Sequence, residues 1–268
     1  MGDFPIDLAE VYGPAVAAKR FAKGALKAWF PSNSILITTP EAKVLVDPGD
    51  SAKLSASMDP RPDPRRFRPV PLVSQLAEVG VAPSEVTHVV VTHLHFDHFA
   101  GVTAGKGGRW AAVYPKARHI IPKRDWDMPD IAEGRKKGDK DIEGTLEVIE
   151  KAGLVDLVDG RVQVAHGLAV EPYPGESPGH QVLALSAGGS RVYCIGDLFH
   201  IVQEVEHPGL AAVWTDRKTL AASQRRFAST ASNEGALVLS GHMQPGFISL
   251  SRGRRSWRPA EGQPGTSI

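Results

Sequence analysis

The sequence has little of three things: cysteine, excess charge of one sign, and long apolar runs. Cys194 is the single cysteine among 268 residues, so an intrachain disulfide framework is excluded. Lys and Arg total 31 against 30 Asp and Glu residues, a balance that disfavours a dedicated nucleic-acid-binding protein. Apolar runs such as Val89-Val90-Val91 are far shorter than the roughly 20 residues of a bilayer-spanning helix. The N-terminus also lacks the pattern of a signal peptide, and we expect a cytoplasmic protein.

Strand and helix signals alternate along the chain, which has an ordinary globular composition of 42% hydrophobic and 23% charged residues. We predict one domain over residues 1–268, with an insertion around 105–160 that covers a core and a flexible basic tail after about 252. A helix is predicted over 16–29. The Pro- and Arg-rich stretch 59–71 is predicted to be a surface loop, because its prolines remove backbone donors.

The two halves of the chain carry a weak internal repeat. In each half a strand, a turn and a second strand lead to an aspartate, Asp47 in the first and Asp197 in the second. A histidine at the end of an apolar run then follows at nearly the same interval, His93 and His242 respectively. The repeat predicts a pseudo-two-fold sandwich with a site along one edge, between the halves.

Four potential metal ligands follow the apolar strand predicted over 87–92: His93, His95, Asp97 and His98. Side chains two residues apart on extended backbone project to the same side, so the first two histidines can bind one ion. After the chain turns, the aspartate and the last histidine can face a second position. Imidazole and carboxylate ligands suit zinc and similar metals, and a catalytic ion keeps one coordination position open for water.

Three further ligand-type residues lie downstream, each directly after a glycine at a strand or turn end: His180, Asp197 and His242. Glycine lets the backbone approach a ligand closely. Together with the upstream cluster, these three residues predict a larger metal centre. Cys194 lies within an apolar strand and is interpreted as a buried small residue rather than a ligand.

This ordered ligand set resembles that of the metallo-β-lactamase-fold hydrolases, over about Ser34 to His242. The resemblance implies an α/β fold, an αβ/βα four-layer sandwich of two mixed β-sheets flanked by helices. It also implies two divalent metal ions, zinc first, with iron, manganese or cobalt as alternatives. By that resemblance the first ion is held by His93, His95 and His180, the second by Asp97, His98 and His242, and both by the bridging Asp197.

The resemblance also implies a mechanism. A hydroxide shared by two ions attacks a carbonyl or phosphoryl centre, and Asp97 or Asp197 accepts or shuttles the proton. Asp47 matches the family's aspartate at the end of an early strand, which orients loop backbone near the metals. The family more often has Thr where Pro48 stands.

Within the superfamily, the pattern is closest to a branch that includes acyl-homoserine lactonases and methyl-parathion-hydrolase-like enzymes. The segments GDLFHIVQEVEHPG and LVLSGHMQPGF are similar to the second of these groups. Too few residues follow His242 for the extra domains of glyoxalase II-like or flavodiiron proteins, and true β-lactamases lack the aspartate at 197. The implied activity is hydrolysis of small-molecule esters: lactones, aryl esters or phosphotriesters. Quorum-quenching lactonases often have a tyrosine shortly after the bridging aspartate, whereas this chain has Phe199 and His200.

The substrate pocket is predicted from aromatic and polar residues near the ligands. His200 is either a pocket donor or a group that supports the metal ligands. The predicted partner is a small-molecule substrate, and we expect binding to neither nucleic acid nor a membrane. A homodimer is the candidate oligomeric state. The predicted pocket residues are Phe96, Phe199, His200, Trp29 and Phe247.

Three alternatives remain open on the sequence alone. A mononuclear iron dioxygenase acting on persulfides resembles this fold too. RNA-processing nucleases share the ligands, although near-zero net charge disfavours them. The third alternative is a non-catalytic metal-binding module.

Overall fold

The computed structural model describes residues 4–21, 27–49, 71–106, 109–138 and 143–261. Its strands are β1 (Phe4–Asp7), β2 (Lys27–Phe30), β3 (Ile35–Thr38), β4 (Lys43–Val46), β5 (His88–Val90), β6 (Thr103–Lys106), β7 (Arg109–Ala112), β8 (Arg118–Pro122), β9 (Val155–Val158), β10 (Val162–Ala165), β11 (Leu168–Pro172), β12 (Gln181–Ala187), β13 (Ser190–Cys194), β14 (Leu237–Leu239), β15 (Gly246–Ser251) and β16 (Arg254–Pro259). Its α-helices are α1 (Leu8–Tyr12), α2 (Pro14–Arg20), α3 (Leu72–Glu78), α4 (Phe96–Phe99), α5 (Lys123–Trp126), α6 (Pro129–Lys136), α7 (Leu146–Lys151), α8 (Val202–Glu206) and α9 (Arg217–Glu234).

Two mixed sheets form the centre of the molecule. The five-stranded sheet has the order β3-β4-β5-β8-β9, and the seven-stranded sheet runs from β10 to β16 in sequence order. In the first, β3 and β4 are antiparallel and the remaining pairs are parallel. In the second, only β13 and β14 are parallel. Short hairpins of β1 with β2 and of β6 with β7 lie outside these sheets.

The sheets pack face to face through an apolar layer in which Val44, Val46 and Val90 meet Leu183 and Cys194. The side chains between these positions point to the opposite faces, because side chains alternate along a strand. Each sheet is therefore buried on both faces, which explains the uninterrupted apolar runs of β4 and β5.

Helices cover the two outer faces. On the five-stranded sheet, Leu45 and Val89 pack in one cluster with Leu76 of α3 and Ile149 of α7. On the seven-stranded sheet, side chains of β12 and β13 pack with Leu220 and Phe227 of α9. The result is the four-layer αβ/βα sandwich, and the predicted fold class is confirmed.

Helix α9 has well-formed ends that hold it over the second sheet. The carboxylate of Asp216 accepts from the backbone N–H groups of Lys218 and Thr219, which caps the first turn. Gly235 ends the helix with φ of 58°, a conformation that glycine adopts without strain.

The internal repeat is visible in the topology. In the first half, β3 and β4 pair antiparallel and β4 pairs parallel with β5. In the second half, β12, β13 and β14 have the same relation. Asp47 and Asp197 follow β4 and β13, and His93 and His242 follow β5 and β14. The parallel strands thus bring matching aspartates and histidines to the site from both sheets.

Several local predictions differ from the structure. Strands β8 and β9 belong to the five-stranded sheet, so 105–160 is in part sheet rather than an insertion over it. Residues 254–259 form β16, paired with β15, where a flexible tail was predicted. The helix predicted over 16–29 is α2 followed by strand β2. The loop predicted over 59–71 lies, except for its last residue, outside the described residues. The single-domain organisation stays a prediction.

Among the described residues, no helix is both long and apolar enough to cross a membrane.

Candidate metal centre

The first ligand loop leaves the end of β5 and is fixed by Asp47. The Oδ1 atom of Asp47 accepts the backbone N–H of Thr92 at 2.8 Å, and its Oδ2 atom accepts the Thr92 hydroxyl at 2.8 Å. Asp47 has a φ of 47°, in the left-handed region that Asp and Asn tolerate better than most residues. The same Oδ2 atom lies 3.0 Å from Nδ1 of His98. Asp47 therefore contacts both the loop backbone and one of its histidines.

The second half brings its ligands in through two glycines. Gly196 has a φ of 48°, and a Cβ atom there would clash with Oγ1 of Thr92. A Cβ at Gly241 would lie 3.0 Å from both Oδ1 of Asp197 and Cε1 of His98. These glycines allow the loops after β13 and β14 to approach the loop after β5 closely.

One cluster of metal-ligand atoms consists of His93, His95, Glu176 and Asp197, whose ligand atoms all lie within 4.8 Å of one another. The distance between His93 Nε2 and His95 Nδ1 is 3.0 Å. Glu176 Oε2 is 3.3 Å from His93 Nε2, and Glu176 Oε1 is 3.1 Å from His95 Nδ1. Asp197 Oδ2 lies 3.8 Å from His93 Nε2. Ligands about 2.0–2.1 Å from a tetrahedral zinc ion are about 3.3 Å apart, so this spacing suits one ion.

A second cluster consists of Asp97, His98 and His242. Oδ2 of Asp97 is 3.6 Å from Nε2 of His98 and 3.4 Å from Nε2 of His242. Asp197 adjoins this cluster as well, because its Oδ1 is 3.2 Å from His98 Nε2 and its Oδ2 is 3.2 Å from His242 Nε2. The carboxylate of Asp197 thus lies between the two clusters.

The histidines are held so that one ring nitrogen faces the centre. Nδ1 of His242 lies 2.7 Å from the Pro31 carbonyl oxygen, Nδ1 of His180 lies 3.2 Å from the Tyr173 carbonyl oxygen, and Nδ1 of His98 faces Asp47. Carbonyl and carboxylate oxygens only accept, so a proton on Nδ1 satisfies them and Nε2 is the ring nitrogen that faces the centre. This is the tautomer in which metal-binding histidines are held by their outer partners.

The donor set fits divalent metal ions. His98 Nε2, Glu176 Oε2 and Asp197 Oδ1 are buried, and none makes a well-aligned hydrogen bond within the described part of the chain. Buried polar atoms without such partners are costly unless another group satisfies them. Imidazole nitrogens and carboxylate oxygens directed at two adjacent points are the ligands that zinc, iron and manganese accept.

Charge pairing controls ionisation in the centre. Burial opposes the ionisation of Asp97, but His98 and His242 hold the pKa of its carboxyl at about 2. Burial likewise opposes protonation of His242, yet Asp197 raises its pKa to about 9. Burial, with the neighbouring His98 and His95, holds the pKa of His93 well below its usual range. His93 is therefore neutral, the form that coordinates a metal.

His180 is fully buried beside the centre, with its ring centroid 5.3 Å from that of His93. Its Nε2 accepts the backbone N–H of Asp197 at 3.2 Å. His180 Nε2 therefore points toward Asp197, but His180 belongs to neither cluster. In the first cluster, Glu176 accompanies His93, His95 and Asp197. The role of His180 as a ligand stays a prediction.

Two supporting carboxylates were not predicted. Asp125 is fully buried and accepts from Leu94 N–H at 3.1 Å, Ser177 Oγ at 2.7 Å and Gly179 N–H at 2.5 Å. It joins the loop of the first histidines to the loop that carries His180. Burial raises the pKa of Asp125, against the effect of these hydrogen bonds. In sequence Asp125 lies in a Lys/Arg/Asp-rich stretch, so nothing distinguishes it from a surface residue.

Glu176 is the second, and a signal for it was available. It lies four residues before His180, inside the same Pro- and Gly-rich turn. An acidic residue so close in sequence to a predicted ligand was a candidate ligand, since zinc accepts carboxylate oxygens.

Two ligand side chains of the centre are partly exposed, which is where a substrate could reach it. The side chain of His95 is 36% exposed and that of Asp97 is 15% exposed. Two large apolar side chains are exposed as well: Phe96, which lies between these two ligands in the sequence, is 37% exposed, and Trp214 is 48% exposed. The Trp214 ring stands edge-on to His95 and His200, with centroids 6.4 and 5.8 Å away. The opening is thus bordered by aromatic surface.

The predicted pocket residues fall in different places. Phe199 is fully buried in the core against Phe227, so its predicted place in the pocket is corrected. Phe247 lies in β15 beneath the guanidinium of Arg258, at 4.3 Å from its ring centroid. Trp29 belongs to β2, and its side chain is outside the described residues.

His200 supports the ligands rather than lining the opening. Its side chain is buried, with Nε2 3.3 Å from Asp197 Oδ2 and Nδ1 3.2 Å from Glu204 Oε1. Glu204 in turn accepts the hydroxyl of Tyr12 at 2.9 Å. Of the two roles left open for His200, the geometry favours the supporting one.

The fold and the paired ligand clusters define a class of metal-binding α/β-sandwich hydrolases. A model of the Metallo-beta-lactamase superfamily matches residues 28–242, and the chain belongs to that family. The predicted enzyme class, a metal-dependent hydrolase, agrees with this membership.

Known proteins resemble the chain over most of its length. The N-acyl homoserine lactonase AttM of Azorhizobium caulinodans is 26% identical over 230 residues, which cover 79% of this chain and 81% of that protein. An N-acyl homoserine lactonase of Bacillus cereus is 23% identical over 215 residues, covering 77% and 79%. The solved structure of AidC, a dizinc quorum-quenching lactonase with a bound product, matches with a TM-score of 0.76 at 20% identity, covering 98% of this chain and 92% of that one. The structural likeness concerns the fold.

Proposed function

We propose that the protein is a dinuclear metal-dependent hydrolase that opens small-molecule lactones, with N-acyl homoserine lactones as the first class to test. One observation carries the proposal: the carboxylate of Asp197 lies between two ligand clusters, with Oδ1 3.2 Å from His98 Nε2 and Oδ2 3.2 Å from His242 Nε2. Lactonases among the relatives support the choice of substrate.

Two ions at such a site supply a water of lowered pKa and polarise the carbonyl that it attacks. The chain's own residues supply the rest. Asp97 is ionised at neutral pH, and its side chain, at 15%, is more exposed than those of His98 and His242, so its carboxylate can accept a hydrogen bond from a water on the substrate side. Zinc is the ion that we propose, with iron, manganese and cobalt as alternatives, since all accept imidazole and carboxylate ligands.

The aromatic border suits a substrate with an apolar part. Trp214 has its exposed ring beside His95, and the exposed Phe96 lies between His95 and Asp97 in the sequence. Ligand sites typically combine such apolar walls with a few polar groups that fix orientation. An acyl chain against these rings would leave the lactone carbonyl at the ligand clusters.

The second cluster supports a hydrolase over a mononuclear iron dioxygenase, because it offers a second ion three side chains in addition to Asp197. The test pairs metal quantification with a substrate panel: N-acyl homoserine lactones, aryl esters, a phosphotriester, a β-lactam and glutathione persulfide. We expect two metal ions per chain and the highest kcat/KM on a lactone. One iron per chain with oxygen consumption on the persulfide would refute the proposal, and so would a sample that binds no metal.

A further inference from the structure

Glu176 is a buried carboxylate aimed at the first ligand cluster. The residue is only 3% exposed, and its two oxygens approach different histidines, Oε2 to His93 Nε2 at 3.3 Å and Oε1 to His95 Nδ1 at 3.1 Å. A buried carboxylate is expensive unless hydrogen bonds or a cation compensate for its lost hydration. Oε2 makes no well-aligned hydrogen bond to any described residue, so the compensation is incomplete.

The surroundings hold this carboxylate in place. The indole Nε1 of Trp214 donates to Oε1 at 3.0 Å. Before Glu176, the backbone N–H of Gly175 donates to the Ser177 carbonyl at 2.9 Å, and the Gly175 carbonyl accepts the N–H of Asp216 at 2.8 Å. A side chain at Gly175 would collide with Leu220 at the start of α9. The turn that carries Glu176 is therefore packed tightly on α9.

Distances across the cluster match those between ligands of one ion. His93 Nε2 is 3.0 Å from His95 Nδ1 and 3.3 Å from Glu176 Oε2, and the other oxygen of Glu176, Oε1, is 3.1 Å from His95 Nδ1. Each of these distances is close to the roughly 3.3 Å edge of a zinc tetrahedron. No exposed acidic group is involved, and the oxygen that faces His93 is the one left without a hydrogen bond.

We propose that Glu176 is a carboxylate ligand of the first metal ion, together with His93 and His95 and beside the shared Asp197. The inference rests on the proposed function, since it takes a two-metal centre as its starting point. A further carboxylate oxygen makes the donor set harder than imidazole nitrogen alone, which favours manganese or iron more than a site without it.

The test compares the wild-type chain with Glu176→Gln, which keeps the shape and removes the charge. Each metal-free protein is titrated with Zn²⁺ against a chromophoric chelator, and the visible absorption of the Co²⁺-loaded protein is recorded. We expect at least about a tenfold weaker affinity for one of the two ions, an unchanged affinity for the other, and an altered Co²⁺ spectrum. Glu133→Gln, at an exposed position in α6, is the control and should behave like the wild type.

Two unchanged affinities with an unchanged Co²⁺ spectrum in Glu176→Gln would overturn the assignment. Circular dichroism of the metal-free variant checks its folding. If that variant does not fold, Glu176→Asp replaces it. The shorter carboxylate should weaken the affinity for the same ion, and wild-type affinities for both ions would overturn the inference. A wild-type chain that binds no metal would instead refute the proposed function, so the two failures are distinguishable.

Discussion

Replacing Asp47 by asparagine tests whether this residue prepares His98 for metal binding. Oδ2 of Asp47 lies 3.0 Å from Nδ1 of His98, so it keeps the proton on Nδ1 and leaves Nε2 free to coordinate. In the Asp47→Asn variant an NH₂ group facing Nδ1 would favour the opposite tautomer, with the proton on Nε2. Asparagine tolerates a φ of 47° as well as aspartate does, so the backbone should not change.

The expected size of the effect follows from the role of such outer partners. Their loss typically weakens metal affinity 10- to 100-fold, which corresponds to about 1.4–2.7 kcal/mol. The loss should concern mainly the ion bound by Asp97, His98 and His242. Competition with a chromophoric chelator measures both affinities, and Asp159→Asn, which alters an exposed ion pair with Arg124, is the control. An Asp47→Asn protein with both affinities at the wild-type level would refute this account of Asp47.

Three other changes have distinct expected results. Asp97→Ala should deplete the second ion more than the first, and metal analysis showing equal depletion would contradict the division of ligands. Asp125→Ala removes a buried acceptor of three hydrogen bonds and should lower the free energy of unfolding in urea by about 3 kcal/mol, whereas a loss below about 1 kcal/mol would argue against it as a link between the loops. Burial lowers the pKa of His119 from 6.5 to about 4, so the fold favours neutral His119 and stability falls as the pH drops below 6.5. Between pH 7 and 5 the free energy of unfolding should therefore fall by about 2 kcal/mol, which urea unfolding of the metal-free protein measures. The His119→Gln variant should lack this decrease, and an equal pH dependence in both proteins would exclude His119 as its source.

The fold and most of the ligand set were predictable because they depend on local patterns. Apolar runs that end in His93 or Asp197 identify buried strands and the loops after them. The repeat of strand, turn, strand and aspartate predicted the matched halves that β3–β5 and β12–β14 form.

What could not be predicted depends on contacts between distant segments. Asp125 and Glu176 are acidic residues in polar stretches, and only the packing of three loops buries them. Phe199 follows Asp197 closely, but the loop after β13 turns its ring into the core against Phe227. Strand β16 has a basic sequence of the kind found in flexible tails, and its hydrogen bonds to β15 decide its structure.

The spread of ligands over both sheets has a consequence for how the protein persists in a cell. His98 follows β5 of one sheet and His242 follows β14 of the other, so ions shared by these residues would tie together segments separated by more than half of the chain. The single cysteine of the chain is buried and free, so such ions would act as its cross-links. A competing chelator would remove these cross-links, and added metal would restore them. Availability of metal would then govern the lifetime of the enzyme as well as its turnover, because an unloaded chain opens between its sheets more readily and is exposed to proteases.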